Sequence, residues 1–488
     1  MTKRVGLGAV MALTAFLALP AVASAQGGAV DIVKGELDIT WVMVAAVLVL
    51  FMQAGFLLLE IGFSRQKNVG AGVAKVLINL GVVTLAWWAV GFGISSLTGN
   101  KIFGTEGFFF HDGQEIAGVT VGGGDTALML FGMLFCAVSL AIVWGTTLER
   151  IKFSAYAIYA AVFGAIIYPL VAHGVYGGGL LADIGGKPVM DFAGSSVVHL
   201  TGAVGALAAL LLLGPRIGKY AADGTPRAIP GHSMPLVGLG VAILWVGWYG
   251  FNAGSTFGTT DNFFAEVALN TQLAAAAGAV AAALVIYLKG KSVDVGMVGN
   301  GAIAGLVGIT APSGYVEFWA APIIGAVAGV IVVFGVLAID KKLDDPVGAL
   351  SAHGLAGIWG TVAIGLFASP RLILDGAAPG MWYGITGDAS FGATVGQLAV
   401  QAVGVAAIFV LVFVLSYGTF LLIKMTIGLR VSEEEELAGL DIASHGMYGY
   451  PESFIPPEEY PGADSREPSP VRAPAVAATM TAETPTQA

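Results

Sequence analysis

Histidine is the side chain best suited to handling a proton near neutral pH, and two of the six histidines here lie inside long apolar stretches. The stretches read Asp191-Phe-Ala-Gly-Ser-Ser-Val-Val-His199 and Asp345-Pro-Val-Gly-Ala-Leu-Ser-Ala-His353, an aspartate eight residues before an imidazole in both, each running on into a Gly/Ala-rich segment. Taken as continuous helix, that spacing puts each aspartate about two turns, ~12 Å, from its histidine. An ionisable group in lipid is costly and normally faces a partner or a pathway. Two neutral imidazoles can bond one another, one nitrogen donating and one accepting, which leaves outer nitrogens to meet a small polar solute or to pass a proton. The competing reading is two unrelated histidines bonded to backbone carbonyls. The repeated phrase favours a shared pathway, because buried polar groups in lipid need partners.

Phe131 and Phe135 are four apart, as are Phe251 and Ser255, so each pair shares one helix face. Aromatic faces attract a cation and a hydroxyl accepts one of its hydrogens; spacing alone equally suits packing or interface aromatics. Asp191 fits a helix N-cap as well as a polar role in a pathway. Glu60, close in sequence to Arg65 and Lys67, reads as a salt-paired or snorkelling acid. Lys75 and Asn79 are placed for bonds between helices. His111, His232 and His445 fall in loops or tail, and His173 falls near a surface, where a structural role is expected. Cys136 is the single cysteine, which excludes an intrachain disulfide or a cysteine-based metal site and suits space filling. His199 and His353 have no third ligand nearby and no nucleophile–base set is visible, so no metal, cofactor or enzymatic activity is expected.

These residues need helices in a membrane to position them. The 488 residues are 56% hydrophobic and 11% charged, with a mean hydropathy of +0.83, whereas a soluble domain carries roughly 25% charged residues. The 71 glycines suit close helix packing in lipid, and the net charge of −10 does not suggest nucleic-acid binding. Residues 1–25 read as a signal peptide: Lys3 and Arg4, an apolar core from Val5 to Leu19, and Ala23-Ser24-Ala25 before Gln26. Eleven apolar runs follow, at about 41–62, 73–97, 125–147, 153–171, 193–213, 233–253, 263–288, 295–311, 316–339, 347–368 and 394–424, judged by the ~20 residues a span needs. With the mature N-terminus outside, the inside loops hold Arg65, Lys67, Arg150, Lys152, Arg216, Lys219, Arg227, Lys289, Lys291, Lys341, Lys342, Lys424 and Arg430, against Lys34, Lys101, Lys187 and Arg371 outside. That asymmetry fits the positive-inside rule and puts the C-terminus in the cytoplasm. The expected fold is therefore an all-α polytopic membrane protein with eleven transmembrane helices, two inverted five-helix repeats plus a final helix. Inverted repeats place a site near the midplane between the halves. The organisation is 1–25 signal peptide, 26–430 membrane domain, 431–460 cytoplasmic segment with Ser432 and Glu435 as a capping pair, and 461–488 disordered tail.

Together these phrases resemble the ammonium transporter (Amt) family of bacterial type over about residues 40–450. The resemblance rests on Phe135-Cys-Ala-Val-Ser139 through Ser154, Ala172-His-Gly-Val-Tyr-Gly-Gly-Gly-Leu-Leu181, the Asp191–Arg216 stretch, Trp248-Tyr-Gly-Phe-Asn-Ala-Gly-Ser255, Gly301–Gly308, Asp344-Asp-Pro through His353, and Val431–Gly446. It implies that His199 and His353 are twin pore histidines and that Phe135 and Phe251 gate the outer mouth. It also implies that Phe131, Tyr176 and Ser255 recruit ammonium, with Asp191 in a structural and recruiting role. The implied activity is ammonium transport: the ion is recruited outside and deprotonated, and ammonia is conducted through an apolar pore, with possible proton co-conduction. Methylammonium is the expected analogue. The implied setting is a homotrimer among the lipids of the cell (inner) membrane, open to a PII-type signal protein from the cytoplasm. Two positions depart from the family pattern. Tyr176 stands where tryptophan is common and is the weaker cation–π partner, and Gly348 stands where some relatives have an acid. An ammonium sensor, or a passive channel for another small neutral solute, are the alternatives.

Overall fold

The computed structural model describes residues 29–453; the expected signal peptide and the tail beyond residue 461 lie outside the described residues. Apolar helices follow one another as α1 Val33–Phe63, α2 Gln66–Ser95, α3 Gly123–Thr146, α4 Phe153–Ala182, α5 Ser195–Leu213, α6 Met234–Thr256, α7 Thr260–Gly290, α8 Val295–Thr310, α9 Ala320–Ile339, α10 Leu350–Phe367 and α11 Phe391–Thr426. Ten are long and apolar enough to cross a membrane, and α8 is shorter at 16 residues. At 1.5 Å per residue α8 reaches only ~24 Å, but it is buried along nearly its whole length against α6, α7, α9 and α10. From Asn300 to Thr310 it therefore meets protein rather than lipid.

Small residues set how close these helices come. A Cβ on Gly55 of α1 would lie 2.7 Å from Leu244 of α6, and one on Gly240 would lie 2.5 Å from the Leu59 backbone nitrogen. Gly278, Gly301 and Gly329 do the same among α7, α8 and α9, where one helix's missing Cβ admits the next helix's carbonyl. Lipid offers no hydrophobic drive between helices, so this contact by small residues is what holds them. Each crossing reverses the chain, so with five helices per half α1–α5 and α6–α10 run in opposite senses, and α11 is added at the side.

Loops tie the ends of the bundle. A two-residue hairpin pairs Glu115–Ile116 with Val119–Thr120 between α2 and α3. At the end where α3 and α5 finish and α10 begins, Arg216 grips Asp344 through its backbone N–H (2.8 Å) and two guanidinium nitrogens (2.9 Å each). Arg150 donates to the carbonyls of Gly214 (2.9 Å) and Asp344 (2.8 Å), and Arg65 donates through Nε to Glu149 (2.7 Å). The segment after α11 folds back on this end as two short helices, α12 Glu433–Ala438 and α13 Leu440–His445. The expected Ser432/Glu435 capping box is present. The Ala71 N–H donates to Asp441 (2.8 Å), and the Leu440 N–H to Asn68 (2.9 Å). Residues from Tyr450 form a separate unit, whose described part is one tight turn at Pro451–Ser453.

Candidate functional site

The two Asp…His phrases fold alike, but not as two turns of straight helix. Gly194 and Gly348, each three residues after its aspartate, adopt positive φ (112° and 74°). There the chain bends back, so that Asp191 caps α5 rather than extending it. Its Oδ1 accepts from the N–H of Gly194 (2.7 Å) and Ser195 (3.0 Å), and its Oδ2 from Ser196 (2.9 Å) and Val197 (3.0 Å). Burial pushes the Asp191 carboxyl up to about 6 although these four amides pull the other way. Asp345 accepts from Gly348 (3.1 Å) and Leu350 (2.8 Å) in the same manner. Gly348, a position that departs from the family pattern, is the structural counterpart of Gly194, placed where left-handed backbone favours glycine.

After each bend the helix opens with one wide turn of i→i+5 bonding, Ser195–Leu200 in α5 and Leu350–Leu355 in α10. Such turns widen a helix locally and recur at functional sites. The two pack on one another and carry His199 and His353 inward. The Nδ1 atoms of the histidines lie 3.2 Å apart, with ring centroids 5.3 Å apart and planes inclined by 22°. One Nδ1 must carry the hydrogen and the other the lone pair, so the two rings hold opposite tautomers. Nε2 of His199 is enclosed and has no hydrogen-bond partner. Trp248 stacks on His199 at 5.2 Å and is itself fixed by its indole N–H donating to Thr310 Oγ1 (2.9 Å).

The phenylalanines extend this pair into a file of rings. Phe131 meets Phe135 at 4.4 Å, Phe135 stacks on Phe251 at 3.9 Å with 10° between planes, and Phe251 lies 5.4 Å from His199. Beyond His353 comes Phe56 at 6.4 Å. Phe131, Phe135 and Phe251 are all buried, so the file is closed at that end. Ser255 is buried next to them, its hydroxyl donating to the Phe251 carbonyl (2.8 Å) and leaving its lone pairs available. Tyr176 does not join the group through a ring contact. It lies half-buried at the edge of the core, its hydroxyl enclosed and unpaired.

Past His353 a small cavity opens, walled by apolar side chains of α1, α3, α6 and α8 with Glu60, Asn300 and His353 as its polar members. Glu60 corrects the sequence reading: it forms no ion pair with Arg65 or Lys67 and is buried, while Arg65 pairs with Glu149. Asn79 does bond between helices, donating to Gln53 (3.2 Å) and the Ala137 carbonyl (3.0 Å) and accepting from Tyr156 (2.9 Å). Lys75 instead lays its ammonium over the Trp144 ring, 3.9 Å from the centroid. His173 is buried rather than superficial, its two ring nitrogens 2.8 Å from the carbonyls of Ser96 and Asn100. Sequence reasoning passed over Trp248 and Phe56 as neighbours of the histidines. Trp248 was within reach, since it precedes Phe251 by three residues and so shares its face.

An unpartnered imidazole nitrogen at the centre of two inverted helical halves, screened by stacked aromatic rings, is the build of a membrane channel or transporter for a small polar solute. Residues 40–450 match the Ammonium Transporter Family, and the chain belongs to that family. It is 41% identical over 472 residues to the ammonium transporter Amt2 of Archaeoglobus fulgidus, covering 92% of this chain and 97% of that one. It is 34% identical to the ammonium transporter of Bacillus subtilis, covering 86% and 99%. Among solved structures, a sensor Amt protein superposes with TM-score 0.77 at 33% identity, covering 85% of this chain and 100% of that one. Mep2 of Candida albicans superposes with TM-score 0.73 at 29% identity, covering 87% and 92%.

Proposed function

We propose that this chain recruits ammonium at the Phe131 end, strips its proton below the Phe135–Phe251 stack, and conducts ammonia along His199 and His353, the proton following through the imidazole couple. The observation that carries the reading is the 3.2 Å Nδ1–Nδ1 bond inside a continuous file of rings. A cation loses heavily on leaving water. The faces of Phe131 and Phe135 and the Ser255 oxygen replace part of that hydration. Beyond the stack the walls are apolar, which favours the neutral form of a solute that can shed a proton. Ammonia then trades hydrogen bonds along the two rings. Potassium can neither shed a proton nor donate a hydrogen bond, so the same walls reject it.

The recruiting end faces outward in this reading, supported by the excess of Lys and Arg in the loops at the Arg150–Arg216 end. The chain then sits in the cell membrane with its C-terminal segment in the cytoplasm. A trimeric assembly and a PII-type partner rest on family resemblance. A sensing role is the second reading, favoured by the likeness to a sensor Amt protein. Both are tested with the purified full chain in proteoliposomes, reading ammonium-dependent current and lumenal pH. The wild type should carry inward charge with ammonium and with methylammonium. His353→Ala should cut that flux about 100-fold while the protein still inserts and elutes as one species. Wild-type flux in this variant would remove the pore assignment, and absence of flux in the natural chain would favour the sensor.

A further inference from the structure

Glu60 is a carboxyl group that the pathway above does not use. It is 2% exposed, it lines the cavity beyond His353, and its Oε2 is enclosed without a hydrogen-bond partner. No salt bridge reaches it among the described residues. Lys75 of α2 is also buried, its ammonium 3.9 Å from the centroid of the Trp144 ring and near enough to act on Glu60 through its charge. A buried carboxyl oxygen with no hydrogen-bond partner is destabilising unless something supplies one. Besides Lys75 and the Trp144 indole, what surrounds it is the wall of the cavity. Asn300 of α8 donates its amide N–H to the Val347 carbonyl (3.1 Å), which holds the amide plane and leaves its oxygen to accept. Gly145 of α3 keeps the space open: a Cβ there would lie 3.1 Å from Glu60 Oε1 and 3.0 Å from Val347. The polar groups facing Glu60 are thus His353 from α10, Asn300 from α8, and Lys75 from α2 and Trp144 from α3 at its back.

We propose that this cavity is a second ammonium station, at which Glu60 returns a proton to ammonia leaving His353. The proposal rests on the conduction reading above and extends it to the far end of the file. In the step, the protonated Glu60 carboxyl gives its O–H hydrogen to the ammonia lone pair; an N–H bond forms, the O–H bond breaks, and a carboxylate and an ammonium ion are left as a pair. The Asn300 oxygen accepts a second ammonium hydrogen. The ion leaves toward the Arg150–Arg216 end, and the carboxylate takes its next proton from the His199–His353 couple. Charge therefore arrives on the nitrogen again, rather than being left behind.

The test uses the full chain in proteoliposomes with an external ammonium step, reading current and, with a trapped pH dye, lumenal pH. The wild type should carry current with little change in lumenal pH. Glu60→Gln keeps the shape but cannot give a proton. It should lose about 100-fold in current, and the lumen should turn alkaline because ammonia then takes its proton from lumenal water. Glu60→Asp should restore a reduced current and a neutral lumen. Gly145→Ala, which retains the acid but displaces it, should lower the current in the same direction and serves if Glu60→Gln does not insert. Unchanged current and lumenal pH in either Glu60→Gln or Gly145→Ala would overturn the station. Alkalinisation without current in the wild type would instead remove the proton route through the histidines, a separate failure.

Discussion

At the scale of single residues, chemistry and packing separate cleanly at Tyr176. Its hydroxyl is enclosed and makes no hydrogen bond, so Tyr176→Phe deletes an unsatisfied polar group and should raise the thermal unfolding temperature, by about 1 kcal/mol in stability. If the phenol oxygen meets the incoming cation, the same variant should raise the ammonium concentration for half-maximal current. Tyr176→Trp should lower it if the ring contributes through its face. An unchanged half-maximal concentration in both would take Tyr176 out of the recruiting set. The residues legible in the sequence were those whose partners follow the same local rule. His199 and His353 share a phrase, and Phe131 with Phe135 share a helix face. Glu60 was misread because sequence nearness to Arg65 says nothing about pairing: Arg65 reaches Glu149 instead, 84 residues away.

At the scale of elements, the eight-residue offset predicted a straight helix between aspartate and histidine, and glycine overrode it. Periodicity cannot report a positive φ three residues in, and the positions that require it are Gly194 and Gly348. An alanine at either site must enter left-handed backbone, at about 1–2 kcal/mol. At Gly194 the new Cβ would also lie 2.5 Å from Val198, and at Gly348 it would lie 3.0 Å from Asn300. Gly194→Ala should therefore lower the unfolding temperature more than Gly348→Ala, by differential scanning in detergent; equal values would argue that the bend yields. The apolar run of α8 is legible as an element although its length falls short of a bilayer, because its neighbours enclose it from Asn300 to Thr310.

At the scale of the molecule, one charged clasp joins the halves. Burial opposes ionisation of Asp344, but Arg216 and Arg150 outweigh it and hold the carboxyl down to about 2, from an ordinary 3.8. A depressed acid stabilises the fold above its unfolded value and loses that contribution as pH falls through the folded one. Unfolding temperature should thus drop more steeply between about pH 4 and pH 2 in the wild type than in Asp344→Asn, the difference amounting to about 2 kcal/mol. Parallel curves would refute the clasp. The architecture was legible from apolar runs, loop charges and the repeated phrase. The clasp was not, because Arg216 and Asp344 are 128 residues apart and no local pattern links them.

The Nδ1–Nδ1 bond has a bearing on how such a molecule turns over. It fastens α5 to α10 at the core, while Arg216 and Asp344 fasten them again at one end. A rocking cycle, with one bundle swinging against the other, would have to tear both attachments at every passage. Cargo should instead slip through a standing framework, admitted by the swing of a few aromatic side chains, so throughput would follow ring rotation rather than bundle motion.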